Sequence, residues 1–155
     1  MAQVSDVLAI KGARVFAIGP QATAMEATQL MNRHKIGALV VTRRQSDLGE
    51  LRECDRVAGM FTERDVLTRL VGERLDPDRT PVEAVMTADV VFARPETDLE
   101  DVAVLMREKR IRHLPVCDEE GALLGLISIG DLNAWRARGQ EMEINYLYEY
   151  IHGRV

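Results

Sequence analysis

The sequence predicts an α+β fold: two β-α-β-β-α units related by a pseudo-twofold axis, packed as one module, with an extra helix at the C-terminus. Three observations predict it. The stretch GMFTERDVL, Gly59 to Leu67, returns as GLISIGDLN, Gly125 to Asn133. Matches of the same kind run along most of the chain, which marks an internal repeat. Within each copy, short apolar β-rich runs alternate with segments of helical spacing. A unit of roughly 60 residues buries too little surface to stand alone, so the copies are expected to pack on each other.

The elements follow in order. Val4-Ser5-Asp6-Val7 matches Val82-Glu83-Ala84-Val85, and Val15-Phe16-Ala17 matches Val91-Phe92-Ala93. Short strands are expected at Val15 to Ala17 and at Val90 to Ala93, each ending before a proline, Pro20 or Pro95. A helix comes next. In the first copy Thr23 is the expected N-cap, with Glu26 three residues on in a capping box; in the second, Asp98 and Asp101 take those places. Ala24, Ala27 and Met31 form the apolar face of one helix, and Leu99, Val102, Ala103 and Met106 that of the other. Two strands follow in each copy: Ala38 to Val41 with Val57 to Phe61, and Leu114 to Cys117 with Leu123 to Ile129. A second helix starts at the repeated phrase. The register slips most where the first copy has RRQSDLGELRECDR and the second only CDEEGA. That reads as a length change in a solvated loop, where insertions cost little. The expected divisions are 1–75 for the first domain, 80–138 for the second and 139–155 for a helical tail.

Composition narrows the function. The chain has 155 residues, 46% hydrophobic and 29% charged, which suits a globular protein. A formal net charge of −5 argues against a nucleic-acid or anionic-membrane binder. No apolar run approaches the ~20 residues of a membrane span, and the N-terminus lacks the pattern of a signal peptide. Cys54 and Cys117 form no CxxC, so two free thiols in a cytoplasmic protein are expected. There is no GxxxxGK[ST] or GxGxxG loop, and the run around Ser128 lacks the glycine spacing of a nucleophile elbow. His34, His113 and His152 have no metal-ligand spacing. A binding or regulatory protein is therefore expected rather than an enzyme, with no metal and no required cofactor.

The repeated phrase carries the chemistry. Thr62 with Asp65, and Ser128 with Asp131, fit [ST]-x-x-[DE] before a helix. As structure, each pair is a capping box. As function, the same place suits a ligand: unpaired N–H groups and the helix dipole favour anions, and an ionised carboxylate has two acceptor oxygens for a ribose cis-diol.

Paired units closing with G-apolar-apolar-[ST]-x-x-D-apolar, together with RIRHLPVCD (Arg110 to Asp118) and VEAVMTADVVFARPETDL (Val82 to Leu99), resemble the tandem cystathionine-beta-synthase (CBS) domain pair, or Bateman module. The resemblance runs from about Val4 to Trp135. It implies an adenosine-containing regulatory ligand (AMP, ADP, ATP, NAD(H) or S-adenosylmethionine) in clefts between the copies. Carried over by position, Asp65 with Thr62 and Asp131 with Ser128 hold ribose and phosphate. Adenine rests at Ile36-Gly37-Ala38 in the first copy and Ile111-Arg112-His113-Leu114 in the second. Arg64 and Arg112 are candidates for phosphate, as forked, permanent cations. Glu63 would oppose phosphate if it pointed inward.

All three tyrosines, Tyr146, Tyr148 and Tyr150, lie in the tail, where Ile144, Leu147, Tyr148 and Ile151 follow helical spacing. That face either folds back on its own domain or meets a partner. The resemblance adds a disc-like homodimer. The competing expectation is a structural or interaction homodimer with degenerate, empty clefts.

Overall fold

The computed structural model describes residues 1–43, 49–50 and 57–152, with side chains described at all of these except 49–50. Cys54 and most of the loop between Arg43 and Arg56 lie outside the described residues.

The chain runs α1 (Val4–Lys11), β1 (Phe16–Ile18), α2 (Ala24–His34), β2 (Ala38–Thr42), β3 (Gly49–Glu50), β4 (Val57–Thr62), α3 (Glu63–Asp65), a π-helical turn (Val66–Val71), α4 (Val82–Val85), α5 (Leu99–Lys109), β5 (His113–Cys117), β6 (Leu123–Ser128) and α6 (Ile129–Ile151). The expected strands and helices fall within a residue or two of these bounds, with one exception. The strand expected at Val90 to Ala93 is reduced to a single parallel bridge, Ala93 to Val116. The reason lies in the length difference between the copies. In the first copy β1 is held on both sides, parallel to β2 and antiparallel to β3, giving the sheet order β3-β1-β2-β4. The shorter CDEEGA connection supplies no counterpart of β3. The second sheet is the antiparallel pair β5-β6 alone.

Local chemistry fixes the helix ends. Thr23 and Glu26 close the expected capping box on α2, with Glu26 N–H donating to Thr23 Oγ1 at 3.1 Å and Thr23 N–H to Glu26 Oε2 at 2.8 Å. Asp98 caps α5 differently, by accepting from Glu100 N–H at 2.8 Å rather than pairing with Asp101. Both helices end on a non-glycine residue in the left-handed region, Lys35 (φ 53°) and Arg110 (φ 54°). These are equivalent positions of the repeat.

The lead helices cross over. Val4 and Val7 of α1 pack with Val102, Met106, Leu114, Val116 and Ile127 of the second copy. Val82 and Val85 of α4 pack with Ile18, Leu30, Leu39, Val41 and Phe61 of the first. The backbone bonds are equivalent too: Val4 N–H to Thr97 O at 3.0 Å, and Val82 N–H to Ala22 O at 2.8 Å. Each core thus borrows a helix from the other copy's stretch of chain. A third apolar cluster joins the copies directly, with Val15, Ala17, Ala38, Val40 and Met60 packed against Val90, Leu123 and Leu126.

The crossover explains the glycine that opens each repeated phrase. A Cβ on Gly59 would stand 2.6 Å from Met86 Sδ and 2.8 Å from the Thr87 carbonyl oxygen. One on Gly125 would stand 2.9 Å from Leu8 Cδ2. At Gly59, β4 lies too close to the backbone of the borrowed lead segment to carry a side chain; at Gly125, β6 could carry one only if the end of the Leu8 side chain moved.

The tail expected at 139–155 is helical through Ile151 and continues α6 without a break. It does not fold back. Every described residue beyond Trp135 is exposed, including Ile144, Leu147, Tyr148 and Ile151. No helix among the described residues is long and apolar enough to cross a membrane.

Candidate functional site

The repeated phrase sits where a strand hands over to a helix, as its residues dictate. In both copies the hydroxyl residue is the N-cap and the Asp is its capping-box partner. The surroundings of the two acids then diverge.

Asp65 is buried. Its Oδ2 accepts from Thr62 N–H at 2.9 Å and from Thr62 Oγ1 at 3.1 Å. Its Oδ1 accepts from Thr87 Oγ1 at 3.2 Å and lies 3.5 Å from Arg69 Nε. Oδ2 is thus held in the cap, while Oδ1 has only a long hydrogen bond and a loose ion pair. After Asp65 the helix widens into a π turn, with Gly72 N–H donating to the Leu67 carbonyl at 2.9 Å. The turn leaves Leu67 exposed at the edge of the site.

A cleft of about 590 Å³ opens over this acid and is shared by both copies. The first copy contributes Gly37, Met60, Thr62, Glu63, Arg64, Asp65 and Leu67. The connecting segment adds Thr87, Asp89, Val90 and Val91, and the second copy adds Lys109, Arg110, Ile111, Arg112 and His113. Arg64 reaches across it, Nη1 donating to the Arg110 carbonyl at 2.8 Å. Glu63 does turn inward: its carboxylate lies about 3.3 Å from where a Cβ on Gly37 would be, so glycine is what leaves it room. His113 is half-buried, and burial first of all pushes its pKa below the ordinary 6.5, with Lys11 and Arg112 adding to the effect against Glu63 and Asp131. A smaller cavity of about 250 Å³ beside Trp135 and Arg136 is lined by neither hydroxyl–Asp pair.

Of the expected site residues, Gly37, Thr62, Arg64, Asp65, Ile111, Arg112 and His113 therefore line one cleft. Ile36 and Leu114 pack instead with the two cores, and Ala38 with the cluster between the copies. Ser128 and Asp131 are also outside this cleft. Asp131 Oδ2 accepts from Ser128 N–H at 2.7 Å and from Lys11 Nζ at 2.7 Å. Partial burial would raise the Asp131 pKa, but the Lys11 ammonium and the Ser128 groups outweigh it and hold the carboxyl below its usual 3.8. Sequence reading missed Lys11, Thr87, Asp89 and Lys109. Lys11 and Thr87 each come from a lead segment and each reach a motif acid, so alignment of the lead segments was the available signal.

The sequence model of the family described as "CBS domain" matches this chain twice, at residues 4–72 and 82–137. The chain belongs to the CBS-domain family. Each match includes one lead helix and one repeated phrase. Among CBS-domain relatives, the CBS domain-containing protein YhcV of Bacillus subtilis is 34% identical over 132 residues, covering 85% of this chain and 84% of that protein. A CBS-domain containing protein of Agrobacterium tumefaciens has a solved structure that superposes with a TM-score of 0.75 at 36% identity, covering 86% of this chain and 92% of the other. A CBS domain protein of Pyrobaculum aerophilum, solved as a complex with AMP, superposes with a TM-score of 0.69 at 27% identity, covering 84% of this chain and 89% of that one.

Proposed function

We propose that this chain is a regulatory CBS pair that binds an adenosine-containing ligand in the cleft over Asp65. The observation that carries the reading is the cleft itself. Its volume, about 590 Å³, lies in the range of small-molecule sites, and its walls come from both copies. Asp65 Oδ1 gives up the long Thr87 bond and the loose Arg69 ion pair to accept a ribose hydroxyl. Ile111 offers an apolar surface for the base. Arg64, Lys109 and Arg112 supply positive charge for phosphate on the rim. The AMP complex of the Pyrobaculum relative supports an adenosine nucleotide as the class of ligand. A ligand that touches both walls changes how the copies pack, and a partner reads that change. We assign a second copy of the chain as the first such partner, through the exposed apolar residues Leu67, Val71 and Leu75 and the α6 tail.

The rival reading, a scaffold with empty clefts, draws on two facts: Asp65 already has protein partners on both oxygens, and two further acids, Glu63 and Asp89, line the cleft and oppose phosphate. A thermal-shift panel of AMP, ADP, ATP, NADH and S-adenosylmethionine separates the two. A ligand at about a hundred times its Kd stabilises by ~2.7 kcal/mol, which is a rise of about 5–10 °C for a chain of this size. The regulatory reading expects that rise for at least one member. A flat response at millimolar ligand supports the scaffold.

A further inference from the structure

We propose that the Asp65 cleft chooses among adenosine ligands by charge, with Glu63 and Asp89 setting it for one phosphate and against the triphosphate. This rests on the adenosine reading of that cleft and narrows the ligand within the class. It comes from two acids that the capping motif does not use.

Glu63 is held in place twice. Its backbone N–H donates to the Gly37 carbonyl at 3.1 Å. Its carboxylate lies about 3.3 Å from where a Cβ on Gly37 would be, in the room the glycine leaves. The second copy has neither half of this arrangement: Arg112 stands at the place of Gly37, and Ile129 at the place of Glu63. Asp89 enters the same cleft from the connecting segment. Among the described residues, neither carboxylate makes a hydrogen bond or an ion pair. His113 stands near Glu63, but burial first of all lowers its pKa, so at neutral pH the imidazole supplies no full countercharge. Two acids without a protein partner thus line the space that a ligand enters.

The cations set the other side of the balance. Among the described residues, four cations line the cleft against three acids, a formal excess of one positive charge. A phosphate monoester carries about −1.5 to −2 at pH 7, and each further phosphate adds about one more. One phosphate therefore uses up the excess, and a second or third adds charge that Glu63 and Asp89 repel. The ordering does not depend on the ligand's pose. A cleft of about 590 Å³ is about 8–10 Å across, roughly one Debye length at physiological salt, so a phosphate anywhere in it feels both carboxylates. At that range, in an open cleft, one like-charge contact changes affinity about threefold.

The test is equilibrium titration of the full chain with AMP, ADP and ATP in EDTA. Wild type is expected to bind ADP about threefold and ATP about tenfold more weakly than AMP. Glu63→Gln and Asp89→Asn keep the side chain's size without its charge, and each is expected to narrow the gap between ATP and AMP about threefold. A melting curve checks that both variants fold, and either one suffices. Glu141→Gln removes the same charge from the tail, outside the cleft, and is expected to keep the wild-type gap. ATP bound as tightly as AMP by wild type, a gap unchanged in both cleft variants, or an equal narrowing in Glu141→Gln overturns the proposal and leaves the adenosine reading standing. So does an inversion with Mg²⁺, in which ATP binds wild type more tightly than AMP and Glu63→Gln abolishes the gain, because the acids would then hold a phosphate-bound metal. Binding of NADH or S-adenosylmethionine but none of the three nucleotides also overturns the proposal alone. If nothing in that panel binds wild type, both readings fall.

Discussion

The two copies carry the same hydroxyl–Asp pair on the same strand-to-helix junction, yet the groups around the two acids differ, and the 590 Å³ cleft is lined by the first pair. Asp65 is buried, holds its own cap and faces Thr87 across a shared groove. Asp131 is less buried and is joined to Lys11. The motif alone does not set what its carboxylate can do. It is a cap that fixes a carboxylate at a helix entrance, and whatever the other copy's lead segment brings there decides what that carboxylate can do. A four-residue lead helix followed by extended chain leaves room; an eight-residue one delivers a lysine.

The largest test of this difference is removal of the acids. Asp65→Ala takes away a cap and leaves the Thr62 amide and the Thr87 hydroxyl without their acceptor, at a cost of about 2–4 kcal/mol. Asp131→Ala loses a cap and a more exposed pair, about 1–2 kcal/mol, because Lys11 can return to water. Urea denaturation measures both, and equal losses would erase the distinction between the sites. The glycines give the next contrast. Gly59→Ala drives a methyl into the Thr87 backbone and should cost about 1–3 kcal/mol, whereas Gly125→Ala meets only the movable end of Leu8 and should cost under about 1 kcal/mol. The same melts check them, and equal costs or the reverse order would show that the Thr87 backbone is not the tighter wall.

A smaller effect sharpens the comparison through pH. The folded-state pKa of His113 is depressed, so the unfolded chain takes up its proton first, and stability falls as pH drops below about 6.5. Asp131 is depressed in the carboxylate range, so its contribution is present above about pH 3.8 and is lost as pH falls through its lower folded value. His113→Gln should flatten the stability profile just below about pH 6.5 and leave the later loss in the carboxylate range in place. The smallest expected signal is at Cys117. Burial first, and then Asp118, push its thiol up to about 11, so a thiol-alkylating reagent should modify it only after unfolding. Rapid labelling of Cys117 in the native protein would show the second sheet to be open.

Much of the fold was legible because it is written in short range. The capping boxes at Thr23, Thr62 and Ser128 each span three residues, and the apolar face of α5 repeats at helical spacing. What escaped is long range or geometric. The lead segments read as helices only once their partners are known, since Val4 and Val7 find their core in residues 93–132. The Lys11–Asp131 pair spans 120 positions and leaves no local mark. The strand at Val90 to Ala93 has the right residues, but it lacks the outer partner that the longer connection supplies as β3. At the site, Thr62 and Asp65 were readable from the repeated phrase and Arg64 and Arg112 from comparing the copies, while Gly37, Ile111 and His113 came from the family resemblance. Thr87 and Lys109 were in none of these sets, because the fold brings them to the groove.

The most direct measurement of the central claim compares AMP with its 2′-deoxy analogue on the wild-type chain by calorimetric titration. If Asp65 grips the ribose diol, loss of one hydroxyl removes a charge-assisted hydrogen bond and weakens binding by about tenfold or more. Equal affinity for the two nucleotides, or binding of neither, would contradict the account.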